Sequence, residues 1–186
     1  MNIFNSYLLV GINSINNFDI CRASTICLDD IISSTGIKFK QCVETYSKIT
    51  LNIISDNNIN KNLKIIGLGV ISELFLYCKE EAFKFSSDVM KVIDYFNYIM
   101  ELKEKLLGTM GCIFIAFRDR GEIENFVPYA KIIMEFIYTI LKDEEKLNNS
   151  IIKNALYIID HFCESYGRSI KPILNIDLLA DIIVKY

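Results

Sequence analysis

Two stretches, residues 117–128 (FRDRGEIENFVP) and residues 162–172 (FCESYGRSIKP), carry the pattern that decides the fold. Each runs from an aromatic residue through a polar segment and a glycine to a proline. Pro128 and Pro172 are the only two prolines in the chain, and they lie 44 residues apart. Because proline interrupts regular structure, this spacing is the first indication of an internal repeat.

The glycines give nearly the same spacing. Gly121 and Gly167 lie 46 residues apart, Gly67 and Gly111 lie 44 apart, and Gly36 precedes Gly121 by 85, close to two such intervals. Several helix-breaking residues that share one interval indicate a repeat of about 43 or 44 residues. That length falls in the ~40–47 residue range of HEAT and armadillo helix pairs.

Composition favours helices throughout. The chain has 186 residues, of which 52% are hydrophobic and 23% charged, so it can bury a large core. An all-β chain of this length would need roughly 15 turns. Two prolines and eight glycines are too few for that number. We therefore predict an all-α fold.

Apolar residues at helical spacing predict eight helices after a partial helix at residues 3–13. Pro128 is expected in the early turns of the sixth helix and Pro172 in the first turn of the eighth. The eight helices are Phe18–Ser34, Phe39–Ile54, Asn62–Cys78, Phe83–Met100, Lys103–Phe117, Ile123–Leu141, Asn149–Tyr166 and Ile170–Tyr186.

The helices pair into four repeats of a single domain, residues 1–186, with approximate boundaries 17–56, 59–101, 102–145 and 147–186. Such pairs cannot bury their apolar faces alone, and stacking against neighbours creates one continuous core. The predicted fold is an α-α superhelix, a HEAT-repeat solenoid of about four helix pairs plus a partial N-terminal helix. Because both ends remain apolar at helical spacing, we expect a piece of a longer array.

Catalytic, metal and cofactor sites find no support in the sequence, so we predict that the protein is not an enzyme. The six cysteines form no C-x-x-C pair, and we interpret them as small buried hydrophobic residues. Gly67 and Gly69 lack the Lys-Ser/Thr of a phosphate-binding loop. His161 and Cys163, two residues apart on one helix, point away from each other.

Charge and hydropathy exclude two further classes of partner. The net charge is −3, whereas domains that bind nucleic acid directly are usually basic. The uninterrupted apolar stretches reach about ten residues, whereas a membrane helix needs roughly 20. We therefore expect neither direct nucleic-acid binding nor membrane insertion.

Three segments resemble the late HEAT repeats of the importin-beta (karyopherin-beta) family. Residues 4–13 (FNSYLLVGIN) are similar to a family helix that ends in a "FLGIGL"-like segment, and residues 20–31 (ICRASTICLDDI) to the first helix that follows it. Residues 154–168 (NALYIIDHFCESYGR) resemble a later first helix. Asp29-Asp30 stands where that family usually has Gly-Asp. The resemblance runs in register along nearly the whole chain.

The resemblance implies part of a nuclear import receptor that works in the cytoplasm, the nucleus and the nuclear pore. In that family the second helices line the concave face, where they would bind the basic segment of an importin-alpha-type adaptor or cargo. Tyr46, Tyr95 and Tyr129 are plausible aromatic neighbours of that segment. The acidic residues expected to contact it are Glu44, Asp88, Asp94, Glu124, Glu135, Asp177 and Asp181.

Two more partners follow from the resemblance. Phe-Gly repeats of nucleoporins would bind in apolar slots between first helices on the convex face, and the Ran GTPase in its GTP form would release the cargo. The residues that could line the slots are Ile26, Leu28, Leu74, Phe75 and Phe114.

Other interpretations remain open at this point. A carboxylate on the polar face of a helix is usually only solvated, and an apolar stripe usually belongs to the core. The chain could be another HEAT scaffold, such as a phosphatase regulatory subunit. It could also be a compact helical bundle of the viral apoptosis-inhibitor type, although such a bundle would show no 44-residue recurrence.

Overall fold

The computed structural model describes residues 2–95, 102–143 and 147–185, with side chains from residue 4 to residue 92 in the first range. Within these ranges the regular elements are helices, and none is a strand, which confirms the all-α prediction. In chain order the α-helices are α1 (Asn2–Ile12), α2 (Phe18–Thr35), α3 (Val43–Ser55), α4 (Lys61–Tyr77), α5 (Lys79–Phe83), α6 (Ser86–Tyr95), α7 (Lys103–Asp119), α8 (Val127–Leu141), α9 (Asn149–Tyr166) and α10 (Ile176–Lys185). Short 3-10 helices precede α3, α8 and α10, at Gly36–Cys42, Ile123–Phe126 and Gly167–Ile173.

Asparagine caps start three of the first helices. The side-chain oxygens of Asn17, Asn60 and Asn148 each accept a hydrogen bond from a backbone amide two or three residues further on, at 3.3, 2.8 and 2.8 Å. An N-cap of this kind stabilises a helix by about 0.5–2 kcal/mol. The caps of α2, α4 and α9 lie 43 and 88 residues apart, which is one and two repeats.

Glycines with positive φ follow three of the four first helices. Gly36 (φ 55°) follows α2, Gly121 (φ 70°) follows α7 and Gly167 (φ 53°) follows α9. Residues with a Cβ rarely adopt this conformation, so the glycines let the chain turn sharply toward the second helix of each pair. Helix α4 ends differently, at Cys78 with φ −121°, and α5 begins at the next residue.

The chain divides into two compact units, and the first spans Met1–Phe96. In this unit α2 packs against α1 and α4, while α3 packs against α4 and α6. The first helices of the repeats, α2 and α4, are thus direct neighbours, as are the second helices α3 and α6. Fully buried Leu28, Ile32, Tyr46 and Phe75 belong to the core.

The second unit spans Asn97–Tyr186. Here the first helices α7 and α9 pack against each other, and α8 packs against both. Aromatic rings fill the core: Phe114 lies 5.2 Å from Phe126 and 4.7 Å from Phe162, measured between ring centroids. Phe117 also lies 5.0 Å from Phe126.

Hydrogen bonds join positions one repeat apart within each unit. The Cys78 thiol donates to the carbonyl oxygen of Gly36, 42 residues earlier, at 3.6 Å. The Tyr166 hydroxyl donates to the carbonyl oxygen of Ile123, 43 residues earlier, at 3.0 Å. The spacing read from the sequence therefore corresponds to direct contacts between successive helix pairs.

The second helices start later than predicted in three repeats. Helix α3 begins at Val43 rather than Phe39, α8 at Val127 rather than Ile123, and α10 at Ile176 rather than Ile170. The reason is the same each time: after the glycine the chain forms a 3-10 turn before the α-helix begins.

One of the two proline predictions is confirmed, and the other is wrong. Pro128 is the second residue of α8, as expected for the early turns of a helix. Pro172 lies inside the preceding 3-10 helix instead of the first turn of α10. Helix α10 is instead capped by Asn175, whose side-chain oxygen accepts a hydrogen bond from the backbone amide of Leu178 at 3.1 Å.

The helix predicted at Phe83–Met100 is also wrong in its start. The chain forms the short helix α5, a turn at Lys84 and Phe85, and then α6. Residues 96–100 lie outside the described residues. The repeat boundaries 17–56, 59–101, 102–145 and 147–186 stay predictions.

Candidate partner-binding surfaces

The acidic residues predicted to contact a partner lie on the second helices or on the turns that lead into them. Glu44 is in the first turn of α3 and Asp88 in the first turn of α6. The Asp94 side chain lies outside the described part of the chain. Every described member of the set is exposed to solvent: Glu44, Asp88, Glu124, Glu135, Asp177 and Asp181. Their role in binding stays a prediction.

Three of these carboxylates form ion pairs with a lysine on the same helix. Lys48 Nζ lies 2.7 Å from Glu44, Lys91 Nζ lies 3.2 Å from Asp88, and Lys131 Nζ lies 3.9 Å from Glu135. The hydrogen bond from Lys48, together with its charge, lowers the pKa of Glu44. Exposed pairs of this kind contribute little to stability, so an incoming cation can displace the lysine at little cost.

The three tyrosines predicted beside the basic segment fall in different environments. Tyr46 is buried in the first unit, where its hydroxyl donates to Asn5 Oδ1 at 2.5 Å, so the prediction that it meets a partner is wrong. Tyr129 is half-buried, with its ring 5.7 Å from that of Phe126. The side chain of Tyr95 lies outside the described residues.

The residues proposed for Phe-Gly slots belong mostly to the core. Leu28, Leu74, Phe75 and Phe114 are each at most 1% exposed and cannot contact a partner, and Ile26 is half-buried. These side chains are buried where the first helices pack against each other. The apolar stripe at helical spacing therefore indicated the core and not a partner site. The exposed large apolar residues on the first helices are others: Ile20, Leu76, Tyr77 and Tyr157.

One polar cluster on α9 was not singled out from the sequence. Asp160, His161 and Glu164 bring possible ligand atoms within 4.8 Å of one another, and their i, i+1, i+4 spacing is the signal that could have revealed them. The Arg118 guanidinium lies 3.3 Å from His161 Nδ1. A guanidinium in this position opposes a bound cation, so we interpret the cluster as hydrogen bonding of Arg118 and Glu164 to His161 and not as a metal site.

The thiol next to this cluster is poorly suited to nucleophilic chemistry. Burial, and to a lesser extent the charge of Asp160, raise the pKa of Cys163 above its usual value. The thiol is therefore protonated at neutral pH, whereas a nucleophilic cysteine needs a lowered pKa.

Comparison with known families gives a match along the whole chain. The family model described as "Importin subunit beta-1-like, TPR repeats" covers residues 1–186. The chain belongs to the importin subunit beta-1-like repeat family. Its fold class is the all-α HEAT-repeat solenoid, since spacings of about 43 residues exceed the 34 of a TPR unit. No curated protein matches the chain at a significant level.

Family membership places the protein among transport and scaffold proteins built from helical repeats. It supports a role in binding other proteins. Among the described helices, none combines the length and hydropathy needed to span a bilayer.

Proposed function

We propose that this importin-beta-like chain is part of a nuclear import receptor. Its second helices would bind the basic segment of an importin-alpha-type adaptor or cargo. The observation that carries the proposal is the exposure of all six described acidic residues of the predicted set, on elements that alternate with the first helices along the chain. Opposite charges would steer the basic segment and fix its register.

The rest of the transport cycle belongs to the same proposal. Nucleoporin Phe-Gly repeats would bind exposed apolar side chains of the first helices, and many weak sites of this kind add up to useful avidity. The Ran GTPase in its GTP form would release the cargo, because a ligand that prefers one arrangement of the repeats weakens a ligand that prefers another. The protein would thus move between cytoplasm and nucleus through the nuclear pore.

A binding titration with charge-reversal variants tests the proposal. The probe is a fluorescein-labelled basic helical segment of the importin-alpha type, followed by fluorescence anisotropy at two salt concentrations. The triple variant Glu44→Lys, Glu124→Lys, Glu135→Lys should bind at least about tenfold more weakly, which corresponds to about 1.4 kcal/mol.

The matched control reverses acids on the first helices. Asp30 on α2, together with Asp160 and Glu164 on α9, is exposed, so Asp30→Lys, Asp160→Lys, Glu164→Lys makes the same change in net charge. This variant should bind about as well as the wild type. Equal losses in both variants, or no binding by the wild type, would reject the receptor proposal and favour another HEAT scaffold, such as a phosphatase regulatory subunit.

A further inference from the structure

An apolar groove lies in the second unit beside one of the proposed acidic contacts. Its volume is about 510 Å³, within the ~300–1,000 Å³ range of ligand pockets. One wall is the start of α8 and the other is the end of α9 with the 3-10 helix that follows. We call this the Glu124 groove; its lining includes Glu124, Val127, Lys131, Tyr166, Ser169 and Ile170.

The groove has a buried apolar floor and an exposed apolar rim. Ala130 and Ile170 are 4% and 3% exposed, whereas Val127 is 47% exposed. The Tyr166 hydroxyl, at the end of α9, ties that wall to the turn before α8 by its hydrogen bond to the carbonyl oxygen of Ile123. The rim therefore exposes apolar surface at Val127, next to the wall that the Tyr166 hydrogen bond fixes.

Glu124 is the carboxylate among the lining residues of the groove. Glu124 is exposed, and within the described ranges no cation lies at ion-pair distance from its carboxylate. The other charged lining residue, Lys131, faces Glu135 at 3.9 Å. The lining thus holds one carboxylate and one lysine, and since Lys131 is paired with Glu135 outside the lining, Glu124 is the charged lining residue left to pair with a partner's cation.

A second groove shows that this charge is not general. It lies in the first unit between α3 and α6, has a volume of about 390 Å³ and is lined in part by Lys48, Asp88, Lys91 and Val92. Lys48 and Lys91 outnumber Asp88 there. The lining of this groove thus has one lysine in excess, whereas that of the Glu124 groove holds one carboxylate and one lysine. The second groove provides an internal control.

We propose that the Glu124 groove receives a large aliphatic or aromatic side chain of a partner protein, in a segment with a lysine or arginine close to that side chain. The apolar side chain packs between Val127 and Ile170, and the neighbouring cation pairs with Glu124. This inference rests on the proposed function and assigns it an apolar anchor. Apolar anchors in pockets contribute most of the affinity of protein interfaces, while rim charges mainly set orientation.

Two labelled model peptides test the proposal. The first places leucines at helical spacing among lysines, and the second replaces every leucine by alanine. Binding is measured by fluorescence anisotropy. Wild type should bind the leucine peptide at least about tenfold more tightly, as expected for burial of a large aliphatic side chain.

Variants of the groove localise the effect. Val127→Ser removes apolar rim surface and Ser169→Phe fills the groove from an exposed position, so each should weaken the leucine peptide about tenfold. Glu124→Gln should weaken it about threefold, since it removes one exposed charge. The control Val92→Ser makes the same change as Val127→Ser in the other groove and should leave binding unchanged. Circular dichroism of each variant verifies that the helices persist.

Three further outcomes of these experiments would each reject a specific claim. If the leucine peptide binds wild type and the groove variants equally well, the groove proposal is wrong while the receptor proposal stands. If neither the peptides nor the basic adaptor segment binds, both are wrong. If sedimentation reveals a dimer that Val127→Ser dissociates, the groove is an interface between copies of this chain and not a partner site.

Discussion

The two units build the same helix pairs with different packing. In the first unit a glycine allows close approach: a Cβ added to Gly67 on α4 would lie 2.8 Å from a methyl of Ile54 on α3. In the second unit the glycines of α7 are not in tight contact, since a Cβ on Gly108 meets nothing within 4 Å and one on Gly111 only Ile158 at 3.8 Å. Aromatic rings fill that core instead. The repeat thus specifies helix order and spacing, whereas the side-chain packing between helices differs between the two units.

The largest expected effect concerns the aromatic cluster of the second unit. Phe114 is 1% exposed and contacts both Phe126 and Phe162, so Phe114→Ala should lower the free energy of unfolding by about 3–5 kcal/mol. Urea titration followed by circular dichroism measures the loss, because the chain has no tryptophan. Phe4, which is 56% exposed, gives the control Phe4→Ala, with an expected change of about 0.5 kcal/mol or less. Similar losses in both variants would contradict the aromatic-core interpretation.

The next effect concerns the close helix contact of the first unit. Gly67→Ala should destabilise by about 1–3 kcal/mol, because the methyl groups nearest to the new Cβ belong to stiff β-branched side chains in a packed core. Gly108→Ala should instead stabilise by about 0.5–1 kcal/mol, since alanine is the better helix former and space is open. If both substitutions stabilise the protein, the two units do not differ in the way described here.

An effect of similar size concerns the turns that both units share. Gly167→Ala should cost about 1–3 kcal/mol although no atom lies within 4 Å of the new Cβ, because φ is 53°. Gly111→Ala places the same methyl inside a helix in ordinary contact, and its cost should be zero or negative. Equal melting temperatures for the two variants would show that the turn does not require glycine.

The smallest effect is a dependence on pH in the alkaline range. Burial raises the pKa of Tyr46 in the first unit and of Tyr166 in the second to about 12, from about 10. A raised folded-state pKa means that the folded protein holds the phenolic proton more tightly than the unfolded chain. The stabilisation is therefore complete below pH 10 and is lost as pH rises toward 12.

Phenylalanine variants test this assignment. Tyr46→Phe and Tyr166→Phe should each reduce the slope of unfolding free energy against pH between pH 10 and pH 12, and the double variant should reduce it further. Tyr157→Phe is the control, since Tyr157 is 49% exposed. An unchanged slope in the double variant would assign the alkaline loss to other groups.

The sequence was sufficient to predict the repeat and most helices, because helix-breaking residues leave a direct mark. The bounds of α9 match the prediction, and Gly36, Gly121 and Gly167 form turns. Gly67 and Gly111, which share the interval, lie inside α4 and α7 and break neither helix. Three asparagine caps at repeat spacing are an equally good signal in the sequence. The 3-10 turns before the second helices were missed because hydrophobic spacing does not distinguish a 3-10 turn from the first turn of an α-helix.

For the candidate surface, exposure was predicted correctly for the described acidic residues but not for most of the apolar ones. Exposed acids on second helices could be placed because polar residues face solvent on amphipathic helices. The apolar residues chosen for partner slots turned out to be core residues, because one sequence does not show whether a neighbouring helix covers an apolar side chain. The Glu124 groove depends on side chains from two successive repeats, so no single helix pattern indicated it.

Hydrogen–deuterium exchange with and without the basic adaptor segment tests the central claim most directly, since it reports which layer of helices the partner covers. The account predicts slower exchange in the second helices, Val127–Leu141 and Ile176–Lys185, with little change in Lys103–Asp119 and Asn149–Tyr166. Protection confined to these two first helices would contradict it.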